Sequence, residues 1–280
     1  MAQTIRVAHS PDSDDAFMFY GLACGAVKAE GLEFVQELSD IETLNQAAVE
    51  ARFDVTALSV HAYAHLHDKY LLLDAGASFG DGYGPVLVVS NQSQFLRAEE
   101  LGNGRIAIPG RWTSAALALS LRLPGHEAMP VDFQDVGRMV KLGKADGGLV
   151  IHEGQLTARE EGLRVLEDLG AWWKERTGLP LPLGMNGVKR SLPEPLRRTL
   201  ARVMAETVAF GLDHREEALD YAMGFARGLD RAKADRFVSM YVNEWTRDVG
   251  PRGREAVARF LGEAADRGLV PRFTPEFQER

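Results

Sequence analysis

An apolar run, Leu149-Val150-Ile151, delivers His152 directly beside Glu153 and Gly154. A histidine at the carboxyl end of a strand sits where catalytic groups gather in open α/β sheets. Imidazole suits proton transfer near neutral pH, so His152 is the residue expected to do chemistry. The pair is not the zinc motif His-Glu-x-x-His, because position 156 is Leu and the context is a strand. His61 and His65 are spaced for one helix face with His67 close by, which would suit a metal. No cysteine or further downstream ligand joins them, so a solvated helix face is the preferred reading and no metal is expected.

Three more junctions pass from a strand to a helix through small polar residues. Ser10-Pro11-Asp12-Ser13-Asp14-Asp15 puts three carboxylates into four positions, more than a helix cap needs. Capping together with cleft lining, Asp14 included, is preferred over a cation site, which wants about 6 oxygen ligands. Leu58-Ser59-Val60 ends a strand and opens a helix. Gly110-Arg111-Trp112-Thr113-Ser114-Ala115 ends a turn in hydroxyl residues before an apolar helix. Free N–H groups and a hydroxyl at such a helix start bind an anion without a positive side chain. A simple capping Thr113 explains that stretch equally well.

The elements that must position these residues alternate. Ile5–Ala8 reads as a strand, Asp14–Val27 as a helix, Leu32–Leu38 as a strand, Ile41–Ala51 as a helix, Asp54–Leu58 as a strand and Val60–His67 as a helix. That order signals a mostly parallel sheet with crossover helices. The pattern restarts with strands at Pro85–Ser90, Arg105–Pro109, Val131–Val136 and Gly148–Ile151, and helices at Thr113–Leu121 and Gly137–Gly143. A crossing stretch rich in Trp, Pro and Gly spans Ala171–Gly187, and the chain beyond Pro193 is helical and charged. The expected fold is α/β with two lobes and a ligand cleft between them. Residues 1–89 with 187–280 would form one lobe and 90–186 the other.

The chain has 280 residues, 45% of them hydrophobic and 26% charged, which is ordinary globular composition. A net charge of −8 with no basic run longer than two disfavours nucleic acid and anionic membranes as partners. Neither bears on a small anionic ligand. The one cysteine, Cys24, falls in an expected buried helix and reads as a small hydrophobe. No signal peptide and no spanning segment of roughly 18 apolar residues is visible, so a cytoplasmic location is expected. No P-loop, nucleophile elbow or dinucleotide-binding glycine fingerprint occurs. Gly80-Asp81-Gly82-Tyr83-Gly84 precedes a strand and reads as a crossing or a turn near the ligand.

Taken together, Ser10-Pro11-Asp12-Ser13-Asp14-Asp15-Ala16-Phe17, Glu42-Thr43-Leu44-Asn45, Leu58-Ser59, Gly110–Ala115 and Ile151-His152-Glu153 resemble the menaquinone-biosynthesis enzymes of the futalosine pathway. The stretches Leu169–Trp173, Thr177–Gly184, Tyr241-Val242-Asn243 and Asp248-Val249-Gly250 are similar to the 1,4-dihydroxy-6-naphthoate synthase type. The resemblance runs in order through nearly the whole chain. It implies the fold of type II periplasmic solute-binding proteins and the cleavage of cyclic dehypoxanthinylfutalosine to 1,4-dihydroxy-6-naphthoate and dihydroxyacetone, without a cofactor. It also implies His152 as proton acceptor, with Asn45, Ser59 and its neighbours Ala57 and Leu58, and Thr113, Ser114 and Ala115 around a small carboxylate-bearing substrate. The family opening is usually Ser-Pro-Cys-Pro-Asn-Asp-Thr-Phe, so Asp12, Ser13, Asp14 and Ala16 are departures. Ala57 stands where a lysine is common, which leaves a substrate carboxylate to Arg111 or to helix ends. Chorismate dehydratase, a sister activity of this fold, is one alternative, and a non-catalytic intracellular solute-binding protein is another. The His152 segment and Trp172-Trp173 favour the synthase, and the lack of a signal peptide disfavours the receptor.

Overall fold

The computed structural model describes residues 2–280. Among the described residues twelve strands form two sheets: β1 (Gln3–His9), β2 (Leu32–Leu38), β3 (Val55–Ser59), β4 (Tyr70–Leu73), β5 (Ser78–Gly80), β6 (Val86–Ser90), β7 (Arg105–Ile108), β8 (Glu127–Pro130), β9 (Gly147–Val150), β10 (Leu163–Asp168), β11 (Leu181–Lys189) and β12 (Phe277–Gln278). The first sheet runs β12-β4-β11-β3-β1-β2, with β5 also on β11, and the second runs β10-β6-β9-β7-β8. Strands β1, β2 and β3 are parallel, as the expected crossover helices require. Strand β11 returns antiparallel against β3.

The chain leaves the first sheet after β5 and comes back through the helix Leu169–Thr177 into β11. Val86–Ser90 therefore lies in the second sheet and Leu181–Lys189 in the first, so the sheets change over a few residues before 90 and 187. The two crossings touch at backbone level. A Cβ on Gly170 would fall 1.8 Å from the Tyr83 carbonyl oxygen, so only glycine fits there. Behind this contact one apolar core takes Phe79 and Leu181 from the first sheet, Leu87 and Ile106 from the second, and Trp173 and Phe260 from helices. Trp173 is fully buried there. Truncating such a side chain costs about 3–5 kcal/mol, so the lobes share their back wall.

Three local expectations are corrected. The helix expected over Asp14–Val27 is two short ones, Ser13–Met18 and Tyr20–Ala23. The break at Phe19 lets its ring stack on His9 at 4.1 Å. Cys24 follows the second helix and is exposed, not buried. The strand expected over Val131–Val136 lies earlier, at β8, because Asp132 accepts the Gln134 N–H at 2.9 Å and turns the chain into the helix Val136–Lys141. No helix among the described residues is long and apolar enough to cross a membrane.

Candidate active site

A cavity open to solvent on one side lies between the two sheets. The ends of β1 and β3 with the turns that follow them, the start of the helix Ser114–Arg122, the turn after β9, strand β11 and the helix Arg231–Tyr241 enclose it. Ile41, Pro85, Ile151, Leu183, Met185 and Phe237 give it apolar walls.

Strand β9 is buried throughout and stops at Val150. Two residues later His152 takes a left-handed backbone, φ 55°, which costs of order 1–3 kcal/mol in a non-glycine residue. The turn carries the imidazole into the cavity wall and sends Glu153 toward the opposite lobe. His152 Nδ1 lies 3.1 Å from Asp12 Oδ2, which leaves Nε2 as the nitrogen available to a ligand. Asp12 is buried, accepts the Ser10 hydroxyl at 2.7 Å, and pairs through Oδ1 with Arg227. Arg227 reaches on to Glu153 at 3.4 Å and lies over the Phe133 ring, which packs nearly perpendicular to the imidazole with ring centres 5.2 Å apart. The Gln155 amide, oriented so that both ends are satisfied, accepts the His152 backbone N–H at 3.2 Å and donates to the Gly84 carbonyl at 2.6 Å. The same amide nitrogen donates to the Tyr241 hydroxyl at 2.7 Å, and burial pushes that phenol well up, so it stays protonated.

The facing wall is built from neutral donors. Asn45 is fully buried and does not line the cavity. Its amide donates to Ser59 Oγ and accepts the Ser59 N–H, both at 3.0 Å, so it fixes Ser59 from behind. The Ser59 hydroxyl proton remains for the cavity. Ala57 and Ser59 line the space, whereas Leu58, between them, packs with Ala48, Ala62, Leu66 and Tyr70 on the other face of β3. Thr113 caps its helix: its hydroxyl donates to the Gly110 carbonyl and accepts the Ala116 N–H. Ser114 Oγ is also engaged, donating to the Leu183 carbonyl at 2.5 Å and accepting the His61 N–H at 3.2 Å. What the segment offers the cavity is the first-turn N–H groups of Ser114 and Ala115, which the helix itself cannot satisfy.

His61 is not on a solvated face. Its Nδ1 meets the Thr113 carbonyl at 3.2 Å, and burial pushes the imidazole down to about 4, so it is neutral and serves as a tie between elements. His65 stacks on Trp112. Glu42 crosses between the lobes to accept the Trp112 N–H at 3.1 Å, and Gly110, at φ 137°, leaves room for its carboxylate. Arg111 is exposed and does not reach the cavity. Among the described lining residues none is Lys or Arg, while Asp12, Asp14 and Asp15 all are lining residues.

Comparison with known proteins fits this architecture. The menaquinone biosynthesis family matches residues 5–266. The chain belongs to that family. It is 41% identical to the 1,4-dihydroxy-6-naphtoate synthase of Thermus thermophilus over 96% of each chain. A solved structure from Archaeoglobus fulgidus is 44% identical and superposes with a TM-score of 0.89, covering 95% of this chain and 98% of the other. The alkanesulfonate-binding protein of Xanthomonas axonopodis shares 12% identity with a TM-score of 0.69, covering 98% and 97%, and shows the two-lobed binding-protein fold.

For this family member, His152, Asp14, Ala57, Ser59, Thr113, Ser114 and Ala115 converge on one cavity, and Asn45 and Leu58 stand behind it. Sequence reading passed over Gln155, Tyr241, Phe237, Met185 and Asn186, which also line it. Gln155 falls three residues past His152, at one-turn spacing, which is a usable signal. Tyr241 stands in a stretch that carries the family resemblance, which gave it no site role, and Phe237, Met185 and Asn186 lie on distant elements and carry no signal.

Proposed function

We propose that the chain is a 1,4-dihydroxy-6-naphthoate synthase, a lyase that converts cyclic dehypoxanthinylfutalosine to 1,4-dihydroxy-6-naphthoate and dihydroxyacetone inside the cell. Supporting this reading is one arrangement: a histidine with one ring nitrogen held by a buried carboxylate faces a wall of uncharged donors across the interlobe cavity. His152 Nε2 takes the proton whose loss starts the ring cleavage. Asp12 accepts from Nδ1–H, which fixes the productive tautomer and balances the imidazolium once formed. The Ser59 hydroxyl and the Ser114 and Ala115 N–H groups hold the substrate carboxylate, a role that helix-start N–H groups fill without a cation. The apolar walls exclude water from the charged intermediate. Aromatisation of the product supplies driving force, so the residues named need only orient, deprotonate and stabilise.

Mass spectrometry of the chain incubated with cyclic dehypoxanthinylfutalosine, and separately with chorismate, tests the reading. The naphthoate product should form from the first compound alone. His152→Asn should bind the substrate and lose about 10²–10⁴-fold in turnover. Product from chorismate would replace the activity with its dehydratase sister, and an undiminished His152→Asn would remove that residue from the chemistry.

A further inference from the structure

The cavity proposed for an anionic substrate contains three carboxyl groups and no lining Lys or Arg among the described residues. Two of the three have partners. Asp12 faces the Arg227 guanidinium and His152. Asp15 accepts the Ser10 N–H at 2.7 Å and lies close to His9, which offset part of the upward push that burial gives its carboxyl. Asp14 differs from both. It is 8% exposed, one of its carboxyl oxygens has no hydrogen-bond partner, and no described ion pair includes it.

Its neighbours make a negative charge there more costly still. Asp12 and Asp15 flank it in the chain, and Glu153 approaches from the other lobe, hydrogen-bonded to Ser13 at 3.2 Å. The helix Arg231–Tyr241 brings the un-ionised Tyr241 phenol. The helix Arg215–Met223 contributes Arg215, which is engaged with Asp235 and lies over the Phe17 ring. The helix Glu194–Asp213 comes up through Gly211, against the Phe17 carbonyl. Burial first, and then the three carboxylates, push the Asp14 carboxyl well above its ordinary range, while the Asp15 backbone N–H offsets only part of this.

We propose that Asp14 works as an uncharged carboxylic acid, whose O–H donates a hydrogen bond to a substrate oxygen in the same cavity as His152. The group then presents one donor and one acceptor, as a side-chain amide does. It removes the repulsion that a third carboxylate would exert on an incoming anion. It also supplies a fixed donor where oxyanion charge develops. No proton is transferred from Asp14 in this role. Its O–H stays bonded while His152 takes the substrate proton. The proposal deepens the naphthoate-synthase reading and rests on it for the identity of the substrate.

Two measurements test it. The first is infrared difference spectroscopy of the ligand-free protein against Asp14→Asn at neutral pH. It should reveal the carbonyl band of a protonated carboxylic acid that is missing from the variant. A carboxylate band in its place would overturn the proposal, whatever reaction the protein catalyses. The second is turnover of cyclic dehypoxanthinylfutalosine. Asp14→Ala should lower kcat/KM about 10²-fold, the scale of losing one oxyanion donor, and Asp14→Asn should recover most of that loss. The parent should lose activity at alkaline pH as Asp14 ionises, and Asp14→Asn should lack that limb. An Asp14→Asn variant as impaired as Asp14→Ala, with both folded by circular dichroism, would overturn the role. If no product forms even from the parent, the substrate reading fails, and the infrared result still decides the state of Asp14.

Discussion

The two long walls of the cavity are built on opposite plans. One wall holds His152, Asp12, Asp14, Asp15 and, behind them, Glu153 and Arg227, every one of them titratable. The other holds Ser59 and the start of the helix Ser114–Arg122, with no ionisable side chain touching the ligand space. Neutral donors locked from behind by Asn45 and Leu183 keep the same hydrogen-bonding pattern at any working pH. The titratable wall changes with pH and with each proton moved. The contrast teaches that holding the substrate and reacting with it are assigned to different walls, each built from both lobes, and can be damaged separately.

The sharpest break falls on the titratable wall. Asp12→Asn should lower kcat about 10²-fold with little change in KM, because the amide favours the wrong imidazole tautomer. Steady-state kinetics checks this, and an unchanged kcat would separate Asp12 from His152. On the neutral wall the effect should be smaller and of the other kind. Ser59→Ala removes one donor worth about 1–1.5 kcal/mol, so KM should rise roughly tenfold while kcat stays within a few-fold. A drop confined to kcat would merge the two walls. The smallest effect concerns stability. The folded state raises the Asp14 pKa, so folded protein keeps a proton that the unfolded chain releases above about pH 4. The contribution of Asp14 is therefore full below that pH and is lost as pH rises toward its folded value. Thermal melts should show Asp14→Asn gaining on the parent from about pH 4 upward and levelling off once the parent Asp14 ionises. A constant difference across pH would contradict the raised pKa.

Much of this contrast was legible in the sequence because strand-to-helix junctions are local signals. His152, Ser59 and Thr113–Ala115 each sit where an apolar run gives way to small polar residues, and all reach the cavity. Leu58 was grouped with its neighbours, although a strand sends alternate residues to opposite faces. Its place behind β3 follows from the Ala57 and Ser59 positions in front. Asn45 came from resemblance alone, and its action through Ser59 depends on how a helix packs on a strand. The partnership of Asp12 with His152 joins residues 140 positions apart in the chain, which only the closing of two sheets brings together. Arg227 is more distant still and carries no motif.

The glycine contact between the two crossings bears on how such a cavity can diversify. Tyr83 and Gly170 meet with no side chain between them, so even a methyl group there would wedge the sheets apart and disturb the core around Trp173. The spacing of the lobes is thus a fixed dimension. A descendant of this chain that took a larger or smaller substrate would have to carve the walls by exchanging residues such as Ile41, Leu183 or Phe237. The frame would be inherited unchanged, and new chemistry would be written in the lining.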